Sequence, residues 1–144
     1  MKKCKDAMNI SDFVKSIQLH LSDIQDIGEI GYVKGISNII IKQLNTLDIY
    51  KRPIHCTDSK RDTLYIKDNG AWEKENKNLL KIKEAIQSVS NAGCKLLSNL
   101  DMDDEDTLQI VLEVTGGGGD GVEHDKQDDK IINLISKATT IEKV

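Results

Sequence analysis

The sequence predicts a mainly helical α+β fold: about five helices with a small antiparallel β-sheet in the middle of the chain. Three observations carry that prediction. Apolar residues recur at helical spacing on both sides of the chain's centre. The stretch TLYIKDNGAWEKE, Thr63 to Glu75, instead gathers β-branched and aromatic residues around Asp-Asn-Gly, the signature of a hairpin. The chain has 144 residues with 38% apolar but only 3% aromatic content, enough for one core built mostly from Ile, Leu and Val.

In chain order, NISDFVKSIQLHLSDIQDIG places Ile10, Phe13, Val14, Ile17, Leu21 and Ile24 on one helical stripe. With Ser11 as N-cap and Gly28 as stop, this predicts one helix from about Ser11 to Asp26. GYVKGISNIIIKQLNTLD repeats the pattern through Val33, Ile36, Ile40, Leu44 and Leu47, and Ile39 and Ile41 widen the apolar face. A face that wide predicts a central helix buried on two sides, with Ile36 and Ile40 in the core.

The chain's one proline, Pro53, ends that helical region and leads into IHCTD and the hairpin. Two turns compete. An Asn69-Gly70 turn sets Lys67 opposite Trp72, and places Leu64 and Ile66 opposite Glu75 and Glu73. A three-residue Asp68-Asn69-Gly70 loop sets Ile66 opposite Trp72 and gathers the apolar groups on one side. Packing favours the second, with Ile66 and Trp72 sharing the core.

Beyond it, Leu79, Ile82, Ile86 and Val89 predict a helix that ends or breaks near Gly93. The acidic run at Asp101 to Asp106 suits a helix start, and residues 107–115 fit either a short helix or a strand. TGGGGDG, with glycines from Gly116 to Gly121, predicts a tether, and KIINLISKATTI a last amphipathic helix through Ile131, Ile132, Leu134 and Ile135. The expected organisation is a helix-helix-hairpin-helix core over 1–98 and a C-terminal helical extension over 99–144.

Charge and cysteine usage narrow the function classes. With 24 acidic and 20 basic residues the net charge is −4, which argues against a surface that grips a polyanion everywhere but leaves a local basic face open. Cys4, Cys56 and Cys94 are odd in number and widely spaced, without C-x-x-C, so neither a disulfide framework nor a zinc ribbon is expected. The basic start MKKCKDAMNISDF lacks the apolar run of a signal peptide, and no segment approaches a membrane span, so a soluble chain in a reducing compartment is expected.

The segment RPIHCTDSKRDTLYIKDNGAWEKEN holds the groups with most chemistry. In a strand His55 and Cys56 point to opposite faces, so His55 cannot serve Cys56 as base. His55, Asp58, Lys60 and Arg61 are the candidate polar cluster, a network that fixes the loop between strands and could engage a phosphate. Lys60, Arg61, Lys67 and Lys74 are the candidate nucleic-acid contacts of the hairpin, opposed by Asp58, Asp62, Asp68, Glu73 and Glu75 in the same stretch. The literal G-x-G-x-x-G at Gly116, Gly118 and Gly121 lacks a βαβ context and has acidic neighbours, so no nucleotide cofactor is expected. The acidic cluster lacks the glycine and the terminal glutamate of a calcium loop, with Leu112 at the twelfth place, and no metal is expected.

Taken whole, Gly31 to Asn76 resembles a module in uncharacterised proteins of large DNA viruses of algae and protists, in which a helix leads to RPIHC-[ST]-D-x-K-R, a YIKD strand and a W-x-K-[DE] strand followed by a helix. The resemblance implies an infected host cell or a virion as the setting and an attachment or assembly role, with no established activity to carry over. The expected function is therefore a non-enzymatic interaction or assembly module. Nucleic-acid binding through the hairpin is the alternative, and an enzyme using HCTD the third. A homo-oligomer, with a dimer favoured, is expected because the helices at Gly35 to Leu47 and Ile131 to Ile135 carry more apolar surface than one small core should cover.

Overall fold

The structure, a computed structural model, describes residues 5–58, 63–75, 79–97 and 121–140. Among them are five α-helices and one three-stranded antiparallel sheet, so the fold is α+β and mainly helical. The helices are α1 (Ile10–Ser16), α2 (Leu21–Ile30), α3 (Tyr32–Asn45), α4 (Leu80–Leu97) and α5 (Gly121–Ala138). The strands β1 (Ile54–Asp58), β2 (Thr63–Asp68) and β3 (Ala71–Lys74) lie side by side in that order, and a short 3-10 turn at Ile49–Lys51 precedes them.

The single helix expected from Ser11 to Asp26 is two. The chain opens at Ile17 and restarts at Leu21, where the Asp23 carboxylate accepts the His20 backbone N–H at 2.9 Å and satisfies one donor at the new N-terminus. The break lets Ile17 and Leu19 both turn toward the core, which one continuous helix would not allow. Gly28 does not stop α2. The joint is Gly31, whose φ of 93° belongs to a residue without a side chain and turns α2 directly into α3.

Helices α2 and α3 pack closely because Gly35 faces Ile27. A Cβ at residue 35 would lie 2.5 Å from Ile27 Cγ1 and 2.9 Å from its Cα. On its other sides α3 buries Ile36, Ile39, Ile40 and Leu44, and it packs against α5, as the wide apolar face predicts. Tyr32 and Ser90 share a buried hydroxyl hydrogen bond of 2.7 Å that ties α3 to α4. Gly93 does not end α4 but lies buried inside it.

Ile131, Ile132 and Ile135 of α5 are fully buried in the same core as α3 and the sheet. The Cys56 amide donates to the Thr139 carbonyl at 3.0 Å, and a parallel bridge joins Cys56 to Thr140, so the end of α5 covers the β1 edge. The C-terminal helix is thus part of the one core rather than an extension of it. Of the apolar residues from which a dimer is expected, Ile36, Ile39, Ile40, Leu44, Ile131, Ile132 and Ile135 are buried within one chain, while Ile41 and Leu134 are half-buried. Residues 107–115 and glycines 116 to 119 lie outside the described residues.

The hairpin uses the other turn. Register runs Asp68↔Ala71, Lys67↔Trp72, Ile66↔Glu73 and Tyr65↔Lys74, and Asn69 and Gly70 both take positive φ, 51° and 81°, as a two-residue primed turn requires. Twist matching at Asn-Gly outweighs the apolar pairing that favoured a longer loop. Trp72 therefore does not share the core with Ile66: Ile66 is fully buried beneath the helices, and Trp72 is half-buried on the opposite face.

Candidate functional site

Alternation along the three strands divides the HCTD segment and the hairpin between two faces. The inner face carries Ile54, Cys56, Leu64 and Ile66, all buried against the helices. The outer face carries His55, its cross-strand partner Tyr65, then Lys67, Trp72 and Lys74. An irregularity between Cys56 and Asp58 leaves Thr57 unpaired before the strand ends.

Cys56, the candidate nucleophile, has no exposed surface. His55 is buried on the other face, where its ring lies 5.4 Å from that of Trp72. Burial pushes the imidazole below its ordinary pKa and the Arg52 guanidinium adds to that, opposed by a hydrogen bond to the Ile49 backbone. Its hydrogen bond to the Ile49 backbone ties the 3-10 turn to the sheet. Of the candidate polar cluster, Lys60 and Arg61 lie outside the described residues, and Asp58 closes β1.

Lys67 does not reach outward to a phosphate. The N-terminal strap, Lys5 to Asn9, folds over it, leaving the residue 8% exposed, and its ammonium donates to the Lys5 and Ala7 carbonyls at 2.7 Å each. Further bonds fix the strap: Met8 N–H to the Lys51 carbonyl, and Gly70 N–H to Asn9 Oδ1. Lys74 is exposed on the outer face, as a surface contact requires.

Asp68, Glu73 and Glu75 do not share that face. Glu73 and Asp68 turn toward α4, where Lys81 Nζ meets Glu73 at 3.0 Å and Asp68 at 3.8 Å. The Glu73 hydrogen bond raises the Lys81 pKa above its ordinary value. Glu75 accepts the Ile82 N–H at 2.9 Å, serving the first turn of α4. Counting charge along the sequence cancels Lys67 and Lys74 against these acids, but the pleat separates them in space. Ile49, Tyr50 and Lys51 are missing from the site that the sequence predicts. The short turn they form beside His55 leaves Ile49 43% and Tyr50 47% exposed, and Tyr50 beside Lys51 was the available signal.

Two adjoining clefts run along α3. One of about 410 Å³ is lined by Asp23, Asp26, Asn38, Ile39 and Lys42, and one of about 240 Å³ shares Asp23, Ile39 and Lys42 with it. Neither touches His55, Cys56 or the hairpin. Among the described residues no group of three or more His, Cys, Asp or Glu is placed to hold a metal ion, and no helix is long and apolar enough to cross a membrane. Comparison with protein-family models, curated proteins and solved structures finds no match to the chain.

Proposed function

We propose that the chain is a non-enzymatic interaction or assembly module whose working surface is the outer face of its sheet. The observation that carries this reading is the burial of Cys56 on the inner face with His55 on the outer one. Thiol catalysis needs an accessible sulfur with a base in hydrogen-bond reach, and this pair has neither. Four charged groups of the hairpin serve structure: Lys67 holds the strap, and Asp68, Glu73 and Glu75 engage α4. The motif running from Gly31 to Asn76 supports a setting in a large DNA virus, as a component of the virion or of the infected cell.

Alkylation tests the proposal. In the folded chain at neutral pH, iodoacetamide followed by site-resolved mass spectrometry should leave Cys56 unmodified until denaturant is added. Rapid modification of Cys56 in the native chain, slowed by His55→Ala, would favour the enzyme reading instead.

A further inference from the structure

The outer face gathers most of the chain's scarce aromatic surface. The sequence has five aromatic residues, and Phe13 and Tyr32 are buried in the core. Two of the other three adjoin His55, and the third follows a residue whose backbone bonds to it. Tyr65 is its cross-strand partner, Trp72 contacts its ring, and Tyr50 stands on the turn whose Ile49 backbone holds the same imidazole. A protein with so few aromatics would ordinarily spend them inside. Tyr65 and Trp72 are half-buried on a short sheet, and Tyr50, on the 3-10 turn that bonds to His55, is 47% exposed.

The described charges next to Tyr65 and Tyr50 are cationic. Lys74 lies directly opposite Tyr65, and Lys51 follows Tyr50; both are exposed, and among the described residues neither has an ion-pair partner. Arg52 is half-exposed beside them and spends its Nε–H on the Leu47 carbonyl at 3.3 Å. Asp48 accepts the Tyr50 N–H through its carboxylate at 3.1 Å. Glu73, Glu75 and Asp68 are on the α4 side.

We infer that this face binds single-stranded nucleic acid, with bases stacking on Tyr50, Tyr65 and Trp72 and phosphates meeting Lys51 and Lys74. Aromatic platforms bordered by cations suit that ligand because every base offers a π-face and every linkage a negative charge. Duplex bases are already stacked on one another and cannot use the rings. The inference rests on the reading of the chain as an interaction module and names the partner of that module.

Trp72 is the chain's one tryptophan, so its fluorescence reports the site directly. Full-length protein is titrated with oligouridylate and with oligothymidylate of about 15 nucleotides, a length within the footprint of single-strand platforms, and with a duplex of equal length. Saturable quenching by either single strand, weaker with the duplex, is expected. Its affinity should fall with salt at a log-log slope of about −1.4 to −2.1, for about two to three phosphates neutralised. Tyr50→Ser should weaken binding roughly 5- to 150-fold, the loss of one stacked base. Lys74→Glu should weaken it at low salt, while Lys34→Glu, the same charge change on exposed α3 surface, should not. Far-ultraviolet circular dichroism confirms that each variant is folded.

The stronger of the two single strands shows which the face prefers. Absence of quenching at low salt, equal binding of the duplex, or equal loss with Lys34→Glu would overturn the inference. The alkylation pattern of Cys56 is independent of all three, so the interaction-module reading stands or falls separately.

Discussion

Substituting Gly35 by alanine perturbs the closest approach in the helical layer. The added Cβ would sit 2.5 Å from Ile27 Cγ1 and 2.9 Å from Ile27 Cα, closer than carbon atoms pack. A rotamer change of Ile27 relieves the first overlap, but the second is with the backbone itself, so α2 and α3 must move apart. Overpacking of this kind costs about 1–3 kcal/mol. Alanine is the better helix former by about 0.5–1 kcal/mol, which opposes it. The net expectation is destabilisation of about 0.5–2 kcal/mol, read as a lower urea midpoint with unchanged slope. A double-mutant cycle sharpens the test. Ile27→Ala alone should cost about 2–5 kcal/mol, and adding Gly35→Ala should cost less than the sum, because the new methyl enters the space vacated. Stabilisation by Gly35→Ala in the wild-type background, or strict additivity in the cycle, would refute this packing of α2 on α3.

Three further outcomes follow from burial and charge. Ile66→Ala should cost about 2–5 kcal/mol in chemical denaturation and exceed Trp72→Ala, since Ile66 is fully buried and Trp72 half-exposed; the reverse order would put the tryptophan in the core. Deleting residues 121–144 removes three fully buried isoleucines, each contributing about 1.5–3 kcal/mol, a loss comparable to the roughly 5–15 kcal/mol of a whole domain. The truncated chain should lose cooperative unfolding, and a sharp transition at the full-length midpoint would show that α5 is dispensable. His55 has a folded pKa below the ordinary 6.5, so the unfolded chain takes up the proton first as pH falls. Its contribution is complete above about 6.5 and is lost as pH drops through the folded value. Denaturation midpoints should therefore fall on acidification below 6.5 more steeply in wild type than in His55→Gln, and parallel curves would deny the shift.

Much of the architecture is legible in the residues because apolar spacing records which side of a helix is covered. Ile36, Ile40, Ile82, Ile86 and Ile131 all occupy the core their periodicity indicates. Spacing does not record a break that preserves the stripe, as at Ile17 to His20, where the interruption depends on one carboxylate accepting one backbone N–H. Nor does it reveal the partner of α5, which is set by long-range packing onto α3. The hairpin shows a conflict between local and pairwise preferences. Asn69-Gly70 specifies a tight primed turn whatever stands opposite, and that turn moves Trp72 to the other face. The candidate site was half legible. The opposed faces of His55 and Cys56 follow from the pleat alone, whereas the burial of Lys67 depends on a strap sixty residues away in sequence, through Ala7. The separation of Glu73 from Lys74 depends on register, and charge summed along a chain cannot display it.

The pairing of β2 with β3 sorts acids toward α4 and aromatics outward, so cross-strand proton contacts test the account most directly. In a nuclear Overhauser spectrum, the observed register makes Lys67 with Trp72 and Tyr65 with Lys74 facing pairs. Both are pairs without mutual backbone hydrogen bonds, with Cα atoms about 4.5 Å apart, so strong Hα–Hα cross-peaks are expected for each. A His55–Trp72 ring cross-peak should accompany them. Cross-peaks pairing Trp72 with Ile66, and Lys74 with Leu64, would instead contradict the account, because the tryptophan would then lie among the core residues and the outer face would lose its platform.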